Sequence, residues 1–197
     1  MKISSARRPG RALDPAKRVA ILDGARAVFM REGFAQGTMD GVAAEAGVGK
    51  QTIYRHFRSK EALVEALVQA MCVPEVVEPP PCSLPAGERL RELLLAFTDG
   101  LANSDSIHLY RAIVAEAGRM PGLGRMLWEA GFRPLRAAIT QLLAEHDAAT
   151  APIVAQQIVH LTLGDAYQEL VLGTASPGRE AFERQIDAAL ALLGLAT

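Results

Sequence analysis

The chain has little of what disulfide-rich or membrane proteins depend on. Its 197 residues include two cysteines, Cys72 and Cys82, which flank a proline-rich segment. Because cytosolic proteins rarely keep disulfides, we expect two ordinary thiols, with redox sensing as the alternative. No apolar run reaches the roughly 18 to 20 residues of a membrane span, and no signal-peptide core follows the basic N-terminus. These absences predict a soluble, cytoplasmic protein without a membrane partner.

Sequence signatures of catalysis are also missing. The four histidines, His56, His108, His146 and His160, show no metal-ligand spacing, and no Gly-x-Ser-x-Gly nucleophile elbow occurs. Residues 44–51, AEAGVGKQ, approach the phosphate-binding P-loop pattern but lack its first glycine and its final Ser or Thr. We therefore predict that the protein is not an enzyme and that it holds no metal and no cofactor.

The chain does have a helix-forming composition and a divided charge. Half of its residues are hydrophobic and only 5% are aromatic, which favours an all-α fold. Residues 1–60 hold twelve Lys and Arg against five Asp and Glu, whereas residues 61–197 hold nine against seventeen. A basic N-terminal region on an acidic remainder predicts that only the basic region meets a polyanion.

Residues 38–60, TMDGVAAEAGVGKQTIYRHFRSK, have the pattern of a helix-turn-helix. Thr38 is a suitable N-cap for the first helix, and Gly47 allows a sharp turn at positive φ. The second helix carries Ile53 and Phe57 as apolar anchors and points polar side chains outward. Such a second helix can lie in the major groove of DNA.

This stretch resembles the DNA-binding module of the TetR family of transcriptional regulators. The resemblance implies an N-terminal three-helix DNA-binding domain and a C-terminal helical bundle that binds a ligand and dimerises, about nine helices in all. The shared sequence elements are Gly37-Thr38, Ala46-Gly47-Val48, Tyr54-Arg55-His56-Phe57 and Ser59-Lys60-Glu61.

Position by position, the family motif also implies which side chains contact the DNA backbone. A packed, capped histidine is the alternative reading for His56. A helix N-terminus, where Thr38 lies, favours a phosphate, and Lys60 adds a full positive charge. The predicted phosphate contacts are Thr38, Tyr54, His56 and Lys60.

The start of the second helix is expected to read bases. The side chains expected to do so are Lys50, Gln51 and Thr52. Lysine suits guanine, glutamine suits adenine, and the threonine methyl can touch a thymine methyl. Gly49 stands where the family often has Ser or Thr, and Gln51 where it often has Gly. The operator sequence therefore does not transfer from relatives.

Helical periodicity and prolines divide the chain into three parts. We expect a flexible basic arm at residues 1–13, which can enter a minor groove or serve as a tail without a role. The DNA-binding domain is predicted over residues 14–60, and the ligand-binding and dimerisation domain over residues 61–197. A stiff proline-rich linker at residues 74–85 cannot be helical.

Local signals mark individual helix ends. Asp14, followed by Pro15, and Ser59 are predicted N-caps of the first and fourth helices. Pro134 is expected to kink or interrupt a helix that runs to about residue 146.

Residues 108–131 resemble the C-terminal domain of the AcrR/AefR-like subgroup of the same family. That resemblance implies a small-molecule cavity inside the bundle, although ordinary core packing is the alternative for each lining residue. The candidates combine bulk with a few polar tips, which suits a mainly apolar ligand. They are Phe97, Leu101, Tyr110, Val114, Met126, Trp128, Phe132, His160 and Tyr167.

The last two predicted helices, at residues 151–172 and 179–193, are apolar on more than one face. Surplus apolar surface predicts that they pair with a second copy across a two-fold axis. We therefore predict a homodimeric repressor that a small, mainly apolar ligand releases from a pseudo-palindromic DNA operator. The alternatives are a transcriptional activator, or a ligand-sequestering protein with weak or no DNA binding.

Overall fold

The computed structural model describes residues 14–72, 84–120 and 122–195, and these are helical apart from short turns. The seventh and eighth helices are joined by a π-helical turn, Trp128–Phe132, so that nine helical rods result within the described residues. The all-α prediction is confirmed. The helices are α1 (Pro15–Glu32), α2 (Met39–Glu45), α3 (Lys50–His56), α4 (Lys60–Cys72), α5 (Ala86–Ala102), α6 (Ser104–Glu116), α7 (Gly122–Leu127), α8 (Arg133–Ala144), α9 (Ala151–Leu172) and α10 (Arg179–Leu192).

Side-chain caps set the N-termini of three of the first four helices, as predicted. Asp14 Oδ1 accepts a hydrogen bond from the Ala16 N–H at 3.1 Å at the start of α1. Thr38 Oγ1 accepts from the Gly41 N–H at 3.0 Å at the start of α2, and Ser59 Oγ accepts from the Ala62 N–H at 3.2 Å. Each cap satisfies a backbone donor that the helix itself leaves unpaired.

Helices α1–α4, here called the head, share one hydrophobic core with part of the remaining helices, here called the body (α5–α10). Phe29, Phe34 and Ile53 are fully buried at its centre. Leu109 and Ile113 of α6 belong to the same cluster. The domain boundary expected at residues 60–61 stays a prediction, and the packed core extends across it.

The body is built around a second core between α5, α8, α9 and α10. Leu94, Ile139, Ile158 and Ile186 each contribute a fully buried side chain to it. A smaller cluster places Tyr167 against the edge of Tyr110, with ring centroids 5.6 Å apart. The bounds predicted for the last two helices agree with α9 and α10 to within a residue.

Two helical irregularities lie in the body. Pro134 has no N–H to donate to Ala130 and its ring crowds that carbonyl, and the wider π-helical turn comes directly before it. This interruption was predicted at Pro134. The kink in α9 was not: Gly164 has φ +37°, and the side chain of Gln185 from α10 occupies the space a Cβ would need.

Some predictions fall on residues outside the described ranges. These are the basic arm at residues 1–13, most of the proline-rich linker, Cys82 and the side chain of Cys72. Within the described residues, every helix is too short or too polar to cross a membrane.

Candidate nucleic-acid interface and ligand cavity

The turn between α2 and α3 is formed by glycine in the left-handed region. Gly47 has φ +63°, and the Val48 N–H donates to the Ala43 carbonyl at 2.9 Å, which closes the end of α2. Only glycine adopts this conformation without steric cost, so the predicted turn is confirmed.

A second glycine keeps the approach to α2 tight. A Cβ at Gly37 would lie 2.5 Å from Cδ1 of Phe29, inside any normal contact. Gly37 therefore lets the loop before α2 pack directly on the central aromatic ring of the head.

Helix α3, the predicted reading helix, has one buried face and one exposed face. Ile53 and Phe57, the predicted anchors, are buried. Gln51 and Tyr54 are exposed, and Thr52 is half-buried. Gln51 and Tyr54, which are expected to contact DNA, are therefore accessible to a DNA groove, and Thr52 is partly accessible.

Lys50, the first predicted base-reading residue, is held by the preceding helix. Its Nζ lies 2.7 Å from Oδ2 of Asp40, and both side chains are well exposed. The hydrogen bond to Asp40 raises the pKa of Lys50 above its usual value, and the charge of that carboxylate adds to the effect. The carboxylate of Asp40 offsets part of the positive charge that Lys50 would bring to a base or a phosphate.

Lys60 is engaged inside the head as well. Its Nζ donates to the carbonyl of Ala35 at 2.8 Å and lies 5.9 Å from the centre of the Phe29 ring. The bond ties the first turn of α4 to the loop between α1 and α2. An ammonium has three donors, so the predicted phosphate contact is compatible with this bond.

The sequence left two roles open for His56, a phosphate contact and a packed, capped histidine, and its position fits neither role fully. Its Nε2 is buried and has no hydrogen-bond partner among the described residues. Burial is the main cause that lowers the pKa of His56, followed by the positive charges of Arg55 and Arg18. A phosphate contact through Nε2 would require the ring to move.

Asp40 and Arg18 are features that sequence reasoning did not single out. The guanidinium carbon of Arg18 lies 4.8 Å from the centre of the Phe57 ring and adds positive charge beside His56. Neither residue belongs to the shared motif or to an apolar periodicity. Only the folded structure reveals them, because it brings Asp40 to Lys50 and Arg18 over Phe57.

A partly open cavity of about 140 Å³, here called the inner cavity, lies where α4 of the head meets the body. Four predicted ligand residues line it, namely Phe97, Leu101, Tyr110 and Phe132. Further walls, not predicted, come from Met71 of α4, Leu109 of α6 and Leu127, with Asn103 and Ser106 as polar groups. Apolar walls with few polar groups are typical of small-molecule sites.

Two family models match the chain. "Bacterial regulatory proteins, tetR family" covers residues 21–67, and "AefR-like transcriptional repressor, C-terminal domain" covers residues 88–193, more than half of the chain. The chain belongs to the TetR family of transcriptional regulators. It is accordingly a DNA-binding regulator and not an enzyme, as predicted.

Solved structures agree with this assignment to the TetR family. The flavonoid-responsive regulator FrrA is 30% identical with a TM-score of 0.76, and the match covers 91% of this chain and 95% of that one. A TetR-family regulator from Pseudomonas syringae pv. tomato DC3000 is 28% identical with a TM-score of 0.69, covering 92% of this chain and 97% of that one.

Among curated proteins, the similarity is confined to one segment. The regulator UidR of Escherichia coli K12 is 37% identical over 51 residues, which is 26% of this chain and 26% of UidR. The match to this relative thus spans about a quarter of its length.

The remaining ligand candidates of this TetR-family protein lie outside the inner cavity. Trp128 and His160 line an outer groove of about 290 Å³, which also touches Phe132. Met126 lines a third, more polar depression of about 450 Å³ beside α4. Tyr167 is buried behind Tyr110.

Val114 lies on the protein surface. Its side chain is 57% exposed and lines none of the cavities described here. On α6 the buried positions are Ile107, Leu109 and Ile113, and Val114 is not among them. A cavity role for Val114 therefore has no support from the geometry.

No metal centre is evident in the part of the chain that the structure describes. There, His, Cys, Asp and Glu form no group of three or more that could hold an ion.

Proposed function

We propose that the protein is a homodimeric repressor, released from a pseudo-palindromic operator by a small, mainly apolar ligand. One observation carries the proposal: Met71 of α4 and Leu109 of α6 both line the inner cavity. Helix α4 follows the reading helix directly, and Leu109 also belongs to the core of the head. A ligand in the cavity touches the elements that position α3.

Release then requires the ligand to prefer one arrangement of these helices over another. A close-packed core shifts between discrete arrangements rather than deforming gradually. Differential binding of about 1–3 kcal/mol would weaken operator binding by roughly five- to 150-fold. Operator DNA would weaken ligand binding by the same factor.

Dimerisation is supported by apolar surface left open on the last two helices. Ile153 and Leu172 of α9 are 54% and 74% exposed, and Leu192 of α10 is 76% exposed. Pairing α9 and α10 with those of a second copy would bury this surface. It would also set two reading helices about 34 Å apart, or somewhat more, to match successive turns of the major groove.

Operator recognition can be tested with the DNA upstream of the protein's own coding region, searched for an inverted repeat. Fluorescence anisotropy should show affinity that falls with salt by a slope of about −0.9 for each neutralised phosphate. Gln51→Ala should lose about 1–3 kcal/mol of discrimination at an adenine position. Lys60→Ala should weaken all DNA alike. Identical effects of the two variants would contradict the division of roles.

Ligand release needs a chemical probe and a mimic of the bound state. FrrA is flavonoid-responsive, so a flavonoid such as naringenin is the first probe. Leu101→Trp, which fills the cavity from within, should reduce operator affinity without any ligand. Thermal stabilisation by the probe with unchanged operator affinity would overturn release and favour a ligand-sequestering protein. In vitro transcription separates repression from activation.

A further inference from the structure

Taken alone, the inner cavity has room for about one aromatic ring. Apolar cavities of about 150 Å³ hold a benzene-sized molecule, and this one measures about 140 Å³. A larger effector must extend beyond it. The outer groove of about 290 Å³ is the adjoining space.

Phe132 is the side chain that both spaces share. On the inner side its ring meets Phe97 edge-on, with centroids 5.8 Å apart. On the outer side it stacks with Trp128, with centroids 6.1 Å apart and planes 20° apart. Phe132 also ends the π-helical turn. A change in its rotamer would join the two spaces.

The outer groove contains a cation without a counter-charge. Within the described residues, the guanidinium of half-buried Arg136 has no hydrogen bond and no ion pair. Several other arginines of the acidic body are paired, namely Arg89 with Glu145, Arg91 with Asp187 and Arg133 with Glu129. Arg125, in the more polar depression beside α4, also has no partner among the described residues. Gln156 and His160 lie in the same groove and offer further hydrogen bonds.

We propose that the outer groove is an anion-recognising subsite, and that the ligand it takes is an aromatic carboxylate. The carboxylate would bind Arg136 through two parallel hydrogen bonds, and its ring would pack beside Trp128. A second ring of the ligand would lie past Phe132, in the inner cavity. Calling this ligand the effector rests on the proposed function, whereas its binding does not.

Matched acid and amide probes test the charge of the ligand. Isothermal titration at pH 7.5 on the full chain would compare biphenyl-4-carboxylate with biphenyl-4-carboxamide. A charge-assisted pair predicts that the acid binds at least about tenfold more tightly. Equal affinities would overturn the proposal.

Two variants assign the preference to one residue. Arg136→Gln should bring the acid and the amide to within about twofold of each other. Arg133→Gln, which removes a nearby arginine already paired with Glu129, should leave the preference intact. Arg136→Lys keeps the charge and should keep part of the preference, which guards against a folding defect in Arg136→Gln. A preference that survives Arg136→Gln would overturn the assignment.

Trp128 reports where the ligand lies, because it is the single tryptophan of the chain. Binding of the biphenyl acid should change the fluorescence of Trp128. Phe132→Ala should increase the affinity for the biphenyl acid more than the affinity for benzoate. If Phe132→Ala helps both acids equally, the two spaces do not form one site.

Operator binding separates this inference from the proposed function. If acid and amide release DNA equally well, effector release stands and the anion subsite fails. If the acid binds through Arg136 and operator affinity is unchanged, the subsite stands and release fails.

Discussion

The head and the body place their polar groups and their empty space differently. In the head, α2 and α3 have seven residues each, and Thr38, Lys50 and Lys60 are all engaged in bonds within the head. In the body, α9 has 22 residues and a kink at Gly164, and a π-helical turn precedes Pro134. The inner cavity and the outer groove are lined mainly by body residues.

We expect this difference to separate a rigid head from a more deformable body. Short, capped helices around a close-packed core hold α3 in one position, which base recognition requires. Voids and irregular backbone should allow the body to repack more easily than the close-packed head. The two regions are joined where α6 contributes side chains to both.

The largest expected effect tests the packing half of this comparison. Phe29→Ala removes a fully buried ring at the centre of the head, 5.5 Å from that of Phe34. It should lower the free energy of unfolding by about 3–5 kcal/mol. Phe97→Ala, which enlarges an existing cavity, should stay near or below the lower end of that range. Urea denaturation measures both, and equal losses would refute the distinction.

The next effect tests the charge half. Asp40→Asn frees Lys50 and removes a negative charge from the reading surface. Operator affinity should rise at low salt, and its salt dependence should steepen by about 0.9, as for one more neutralised phosphate. Asp23→Asn makes the same charge change on an exposed part of α1 and serves as the control. The prediction fails if both variants behave alike in an anisotropy salt series.

A smaller effect tests how far head and body are separate. Arg26 of α1 and Asp105 of α6 form an exposed ion pair across the junction. A double-mutant cycle with Arg26→Ala and Asp105→Ala should give a coupling free energy of about 0.2–1 kcal/mol for stability. Adding ligand should change this coupling if α6 moves. An unchanged value would show that the junction is rigid.

The smallest effect concerns pH and should belong to the head. Burial lowers the pKa of folded His56 below 6.5, so the unfolded chain takes up the proton first as pH falls. The free energy of unfolding should therefore decrease as pH is lowered through 6.5, and level off below the folded pKa. His56→Gln should flatten this dependence. Urea denaturation at pH values from 5 to 8 measures the free energy of unfolding of the protein and of the variant.

Sequence alone predicted the head well because its structure follows from local signals. Caps at Asp14, Thr38 and Ser59 and the turn at Gly47 depend on neighbouring backbone groups. The Asp40–Lys50 pair depends instead on how two helices cross, which no spacing in the chain expresses.

The body was predicted in outline only. Helical periodicity marks an apolar face but does not separate a side chain that fills a core from one that borders a void. Phe97 and Phe132 do border the cavity, whereas Val114, one residue after buried Ile113, lies at the surface. Arg136 was missed because an unpaired charge is recognised only when its surroundings are known.

Leu109 has a consequence for engineering. Its side chain is part of the head's core and also borders the inner cavity. A chimaeric regulator made by fusing helices α1–α4 to a foreign sensor would leave that core open on one side. Transplanting this DNA specificity therefore requires either carrying α6 along with the graft or redesigning the recipient's matching surface.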